Sequence, residues 1–254
     1  MMEIKNLTYQ IKDKKILDDI NLLIKSKEKI AVIGPNGSGK TTLLRHLYKD
    51  INVSQGKILL NNLSIGKMKR NSYSKSVAVV SQENYNNYSG FTSEDIVMMG
   101  RYPYKGFFND YDNNDKKIVE ECLTQVGMFH EKNREFSSLS GGEKQRVLIA
   151  RAFSQESETI ILDEPINHLD IKYQIELMKL LKKADKTVII SLHNIEIALN
   201  WCDKAVLLNK GKLMDFGKPL DVITEKNIKD VFEVDSKIIV EKERKSICYK
   251  TDII

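Results

Sequence analysis

Residues 30–42, Ile-Ala-Val-Ile-Gly34-Pro-Asn-Gly-Ser-Gly39-Lys40-Thr41-Thr42, join an apolar, β-branched run to a glycine-rich turn, and the apolar stretch Leu43-Leu44-Arg45-His46-Leu47 follows. The pattern is strand, loop, helix, with G-x-x-x-x-G-K-[ST] at the join. Glycines let a backbone turn several N–H groups inward around phosphate oxygens without a Cβ clash. A helix opening near Gly39 adds its positive N-terminal end. Lys40 is then in reach of terminal phosphates, and the Thr41 hydroxyl is placed for Mg²⁺.

The rest of the chain reads as α/β. Residues 3–9 and 16–24 alternate apolar and polar around the turn Lys12-Asp13-Lys14-Lys15, and Gly56–Leu60 is a further strand of that kind. Val77–Val80 is a short buried strand that ends at Ser81-Gln82. Residues 83–150 read as a mainly helical insert, with helices expected from Thr92 through Arg101 and from Asp115 to Val126. Strands and helices then alternate: Thr159–Asp163, Ile171–Lys183, Thr187–Ser191, Asn194–Trp201, and strands on either side of Gly211. Strands separated by helices predict a mostly parallel sheet. Residues 234–254 alternate weakly and carry many charges, and no structure is assigned to them.

Two other stretches carry chemistry. Thr159-Ile-Ile-Leu-Asp163-Glu164 is an apolar strand ending in two carboxylates, which are costly there unless they serve an ion or a reaction. Asp163 is the candidate for Mg²⁺ and Glu164 for polarising an attacking water. In Leu139-Ser140-Gly141-Gly142-Glu143, Ser140 and Glu143 form a capping box at a helix start. The capping box does not explain two glycines, which weaken a first turn; close approach of the backbone to a second phosphate group would.

With these motifs together the sequence resembles the ATP-binding subunits of ABC transporters over residues 1 to about 233. Gly34, Pro35, Asn36, Gly37, Ser38, Gly39, Lys40, Thr41 and Thr42 resemble Walker A, and Ile160–Glu164 Walker B. Gln82 resembles the Q-loop glutamine, and Leu139–Glu143 the family signature. Asn167–Asp170 resembles the D-loop and His193 the switch histidine. The resemblance implies a P-loop NTPase core with an antiparallel β subdomain and a helical insert at about 83–150. It also implies ATP and Mg²⁺ as cofactors and a head-to-tail dimer with a second copy. In that dimer Ser140, Gly141 and Gly142 of one copy face the Walker A of the other, with Asp170 nearby. Gln82 joins Thr41 and Asp163 as an expected Mg²⁺ ligand, and Glu164, His193, Gln82 and Lys40 are the expected catalytic group.

Val97-Met-Met-Gly100-Arg101-Tyr102-Pro103-Tyr104, Asn167–Asp170 and Trp201-Cys-Asp203 narrow the likeness to importers of iron–siderophore, haem and cobalamin complexes. In that group an integral membrane permease docks between the Q-loop and the signature, so residues 83–108 are the expected partner surface; a tyrosine-rich surface loop is the alternative reading. The subunit would sit peripherally on the cytoplasmic face of the cell membrane. Two departures stand out. Ile11 occupies the place where many relatives stack an aromatic on adenine, with Tyr9 as the alternative base contact on the same strand face. Asn194 follows the switch histidine where Asp is commoner.

Composition fits this reading. The net charge of +5, from 40 basic and 35 acidic residues, does not suggest a nucleic-acid face, and no nucleic-acid partner is expected. Cys122, Cys202 and Cys248 are far apart, match no metal spacing and fit reduced thiols. The N-terminal Met-Met-Glu-Ile-Lys-Asn has no apolar core of a secretory signal, and no apolar run approaches the roughly 18 residues that span a bilayer. Two rivals remain within the superfamily: a soluble ATPase of the iron–sulfur assembly type, and a nucleic-acid-handling ATPase. Asn167–Asp170 and Met99-Gly-Arg-Tyr-Pro103 argue against the first. The lack of long coiled coils or a second cassette argues against the second.

Overall fold

The computed structural model describes residues 1–81, 88–105, 110–167, 169–242 and 244–250. They form two compact units, one of residues 1–68 with 187–254 and one of residues 69–186.

The first unit opens with β1 (Met2–Ile11) and β2 (Lys14–Ile24), paired antiparallel. Ile4 and Leu7 on β1 and Leu17, Ile20, Leu22 and Ile24 on β2 are buried. The period-2 alternation is broken between Ile4 and Leu7, where the register shifts; Asn6 and Asp19, with φ of 48° and 53°, mark the irregularities that return both strands to the same buried face. β3 (Lys29–Ile33) is buried at every residue and leads through the glycine loop into α1 (Lys40–Leu47). β4 (Gln55–Leu60) pairs antiparallel with β1, and β5 (Leu63–Ser64) returns from it. The Asn61-Asn62 turn has φ of 49° and 66°, the two positive angles of a tight hairpin turn that asparagine tolerates. The sheet order β2-β1-β4-β5 is the antiparallel subdomain read from the sequence.

The second unit begins with α2 (Arg70–Ser76), which the sequence reading did not assign. β6 (Val77–Val80) follows and pairs parallel with β7 (Thr159–Leu162), Val77 opposite Thr159 and Val80 opposite Leu162. Between them lie α3 (Ser93–Met98), α4 (Asn113–Gln125) and α5 (Gly141–Ser154), and α6 (Ile171–Lys183) comes after β7. Thr92/Asp95, Asp112/Asp115 and Ser140/Glu143 each close a capping box at a helix start. The helix expected to run through Arg101 tightens at Met99 into a 3₁₀ segment that reaches Tyr104 and contains Pro103. The tight turn brings Gly100 onto α5, where a Cβ would stand 2.2 Å from Ser154 Oγ and 2.3 Å from the Arg151 carbonyl.

That approach carries Arg101 into the interior, 5% exposed. Its guanidinium donates to Asp115 (2.9 Å), to the Ser154 carbonyl (2.7 Å) and to Glu156 (2.7 Å). Lys105 also donates to Asp115. Burial alone would raise the Asp115 carboxyl, but bonds from Lys105 and Arg101 outweigh it and bring the pKa down to about 2.

The chain then rejoins the first unit. β8 (Thr187–Ser191), α7 (Ile195–Trp201), β9 (Lys204–Asn209), β10 (Lys212–Gly217), α8 (Pro219–Val222) and α9 (Glu225–Phe232) follow in order. β3 lies between β8 and β9, parallel to both, and β10 runs antiparallel on β9. The tail forms a hairpin of β11 (Ser236–Glu241) and β12 (Arg244–Tyr249). Asn200 on α7 fixes it, donating to the Lys245 carbonyl (2.7 Å) and accepting from the Lys245 N–H (3.0 Å). Among the described residues no helix is long and apolar enough to cross a membrane.

Replacing Asp115 by Asn leaves the Arg101 charge buried and under-partnered, so it should lower stability at pH 7 by about 3 kcal/mol. Urea unfolding would measure this. The folded Asp115 carboxyl titrates below its unfolded value, so its contribution is complete above about pH 4 and is lost as pH falls toward 2. The gap between wild type and variant should close over that window.

Candidate functional site

The first unit supplies the phosphate loop. Gly34, Gly37 and Gly39 have φ of 152°, 76° and 104°, in the region that disfavours side chains. Gly34 is further constrained because a Cβ there would lie 2.2 Å from the Leu208 carbonyl. Lys40 is 5% exposed and donates to the carbonyls of Gly34 (2.9 Å) and Pro35 (3.2 Å), which holds its ammonium inside the loop. Ser38 is 2% exposed, and its Oγ is buried without a protein partner. A buried hydroxyl left unsatisfied inside a ring of turned amides fits a phosphate oxygen as its missing partner. Thr41 and Thr42 follow on the first turn of α1, both half-buried.

His193 belongs to the same unit. In the parallel pair β3 and β8, Val32 stands opposite Ser191, so Gly34 and His193 each lie two residues past that rung. They therefore emerge at the same carboxyl edge, where open α/β sheets bind ligands. His193 is exposed. Asn194 caps α7, accepting from the N–H groups of Glu196 (2.9 Å) and Ile197 (3.2 Å). Asn and Asp serve this position about equally well, which accounts for the departure noted in the sequence.

Tyr9 and Ile11 separate clearly. The Tyr9 ring meets His46 of α1 edge-on, with centroids 4.8 Å apart. His46 is fully buried, its Nδ1 bonded to the Thr42 carbonyl (2.8 Å), and burial lowers its pKa. Tyr9 is thus occupied in fastening β1 to α1, whereas Ile11 is 51% exposed.

The second unit supplies the acids. Asp163 is 3% exposed, one residue past β7, and its N–H donates to the Val80 carbonyl (2.8 Å). Glu164 adopts φ of 52°, an uncommon conformation for a side-chain-bearing residue and one found at functional turns. Asn167 donates to the Glu164 carboxylate at 2.7 Å. The sequence reading gave Asn167 no such task; its only signal was a polar residue three positions after the acid. Gln174 of α6 donates to the carbonyls of Ile166 (3.1 Å) and Leu169 (2.9 Å) and so pins the turn that leads to Asp170, which is exposed at the start of α6.

The signature helix α5 begins as expected. The Ser140 N–H donates to Glu143 (2.8 Å), and the Glu143 N–H donates to Ser140 Oγ (3.3 Å). Hydrogen bonds from the Ser140 N–H and hydroxyl hold the Glu143 carboxyl below its ordinary range. Ser140 and Gly141 are exposed and Gly142 is half-buried, and a Cβ on Gly141 would meet no atom within 4 Å. Nothing in the unit's own packing therefore requires that glycine. Gln82, and residues 83–87 and 106–108 of the expected partner surface, lie outside the described residues.

A family model described as ABC transporter matches residues 17–167. The chain belongs to this family and is one of its ATPases. Over 247 residues it is 32% identical to the iron(3+)-hydroxamate import ATP-binding protein FhuC of Bacillus subtilis, which covers 95% of this chain and 91% of the relative. Among solved structures it is similar to a chain of an inward-facing ABC transporter described as of metal-chelate type. That match has a TM-score of 0.82 and 27% identity, over 98% of this chain and 96% of the other. It is also similar to the dimeric structure of a bacterial ABC transporter cassette, with a TM-score of 0.77 and 28% identity, over 87% and 99% of the two chains.

Removing the cap on the helix behind His193 should be measurable. Asn194→Ala should lower stability by about 1 kcal/mol, and Asn194→Asp should retain it, because an acid both caps the helix and favours its N-terminal end. Denaturant unfolding of the two variants would check this.

Proposed function

We propose that the chain is the ATP-hydrolysing subunit of an importer for iron–siderophore or related metal–chelate complexes. The name of the iron(3+)-hydroxamate relative and the metal-chelate type of the structural neighbour support the cargo class. The observation that carries the reading is the phosphate loop itself. A buried lysine and an unsatisfied buried serine hydroxyl converge inside a turn whose conformation only glycines tolerate.

In this reading ATP lies on Gly34–Thr42 with Lys40 on its terminal phosphates, and Ile11 packs against the base. Thr41, Asp163 and Gln82 would hold Mg²⁺, whose charge offsets that of the phosphates; hydroxyl and carboxylate oxygens are the hard donors it takes. Glu164, oriented by Asn167, polarises the attacking water, and His193 contacts the γ-phosphate. Hydrolysis is driven by positioning and charge stabilisation more than by covalent chemistry.

Two copies work together, as the dimeric cassette among the structural neighbours supports, and in this reading they lie head to tail. The open helix start at Ser140-Gly141-Gly142 serves the γ-phosphate held by the partner, with Asp170 beside it. A second copy gives Gly141 a purpose that the packing of its own unit does not. The subunit works on the cytoplasmic face of the membrane, where integral permease subunits dock near residues 83–108. The described part of that segment borders a groove of about 760 Å³ whose walls include Phe91, Met98, Met99, Tyr111 and Lys116. Its apolar walls, bordered by Glu94, Asp95 and Glu120 as well as Lys116, Lys117 and Lys132, suit a short amphipathic segment of a membrane protein.

Glu164→Gln keeps the shape of the site and removes the carboxylate, so it should accumulate an ATP-bound dimer. In sedimentation the variant's mass should double only with Mg-ATP; a monomer that still binds ATP would sink the two-copy reading. Phe91, 41% exposed at the groove, tests the permease. Phe91→Asp should lose co-purification with a multispanning chain while ATP binding persists.

A further inference from the structure

The turn between β9 and β10 lies far from the phosphate loop in sequence yet touches it directly. Lys210 and Gly211, with φ of 47° and 79°, form a two-residue hairpin turn closed by the pairing of Asn209 with Lys212. The Gly211 N–H donates to the Ser38 carbonyl at 3.0 Å, and the Gly211 carbonyl accepts from the Asp18 N–H at 2.8 Å. A Cβ on Gly211 would lie 2.5 Å from the Ile16 carbonyl oxygen. A Cβ on Gly39 would lie 2.9 Å from Leu17 Cδ2 and 3.0 Å from the same Ile16 oxygen. Three backbone segments, at Ile16–Asp18, Ser38–Gly39 and Gly211, are therefore stacked with no room for a methyl group.

We infer that Gly211 is a positioning residue for the phosphate loop. In a trans peptide the C=O and the following N–H point in opposite directions. Anchoring the Ser38 carbonyl on Gly211 therefore turns the Gly39 N–H the other way, toward the interior of the loop. The loop cannot make this bond within itself, because it needs a donor that approaches from outside at backbone distance. Gly211 provides it, and Asp18 holds Gly211 in place from the opposite side. The β9–β10 turn is thus the outer wall against which the loop's amides are aimed.

This inference rests on the reading of Gly34–Thr42 as the ATP phosphate site. An aimed amide grips the ground state and the transition state alike, so slackening it should raise KM and leave kcat largely intact. Two variants test it. Gly211→Ala forces a Cβ onto the Ile16 carbonyl, and one extra glycine inserted after Lys210 slackens the turn without adding bulk. Each should raise the dissociation constant for ATP by about tenfold, the scale of one well-placed hydrogen bond to a charged group, with hydrolysis at saturating ATP reduced by less than about threefold. The insertion decides alone if Gly211→Ala does not fold. The same insertion in the Asn61-Asn62 turn is the control and should leave ATP affinity unchanged. Unchanged affinity in the Gly211-turn insertion, or an equal loss in the control, overturns the inference. A wild-type protein that binds no ATP would instead refute the site reading on which it rests.

Discussion

The charge of Lys40 sits in a place only 5% exposed, where an unpartnered ammonium would be strongly unfavourable. Its bonds to the Gly34 and Pro35 carbonyls make it tolerable, and those carbonyls face inward only because the loop turns sharply at Gly34. Only glycine fits that turn, because the Leu208 carbonyl occupies the space a Cβ on Gly34 would need. The lysine thus ties the loop together, β9 lies against it, and β9 is held against β3 by the parallel pairing of Ile33 with Leu207. β8 lies on the other side of β3 and carries His193 to the same edge.

The second unit solves a different problem. Three of its helices, α3, α4 and α5, begin with capping boxes that satisfy their first turns. The unit also buries an arginine, which costs free energy unless its donors are matched. Asp115, Glu156 and the Ser154 carbonyl match them, and Asp115 also accepts from the Asp112 N–H at the start of α4. The same carboxylate therefore ends an ion pair and caps a helix. This links the 3₁₀ segment, α4 and the end of α5 into one piece and gives the groove above them a firm floor.

Much of this was legible in the sequence. The phosphate loop was readable because glycine spacing and a following Lys-Thr leave few other conformations. The strands from Thr159 and Thr187 were readable because their apolar runs are short, rich in β-branched residues and separated by a helical stretch, which together favour buried parallel strands. Ser140 and Glu143 announced their capping box by spacing alone. Other features were hidden for physical reasons. α2 has a single buried side chain, Tyr73, and so shows no apolar stripe. The tail hairpin leaves Val240 and Tyr249 exposed, which blurs the alternation that marks a strand. Tyr9 stood as the alternative to Ile11 because both lie on one strand face; only the fold shows that the Tyr9 ring is spent on His46. Gly211 was unreadable as part of the site because its contacts are between backbones, which no side-chain pattern records.

The signature helix shows how stability and access can be separated along one element. Each glycine in its first turn costs roughly 1 kcal/mol of helix propensity relative to alanine. The capping box returns about that much for one of them by satisfying two backbone donors. The remainder comes from the middle of the helix, where Val147, Leu148, Ile149 and Ala150 are at most 1% exposed and burial of the larger side chains contributes about 1.5–3 kcal/mol each. A helix secured from its buried middle does not need a strong first turn. Ser140 and Gly141 can therefore stay exposed, without side chains that would block an approaching anion, and the helix still begins where the sequence specifies.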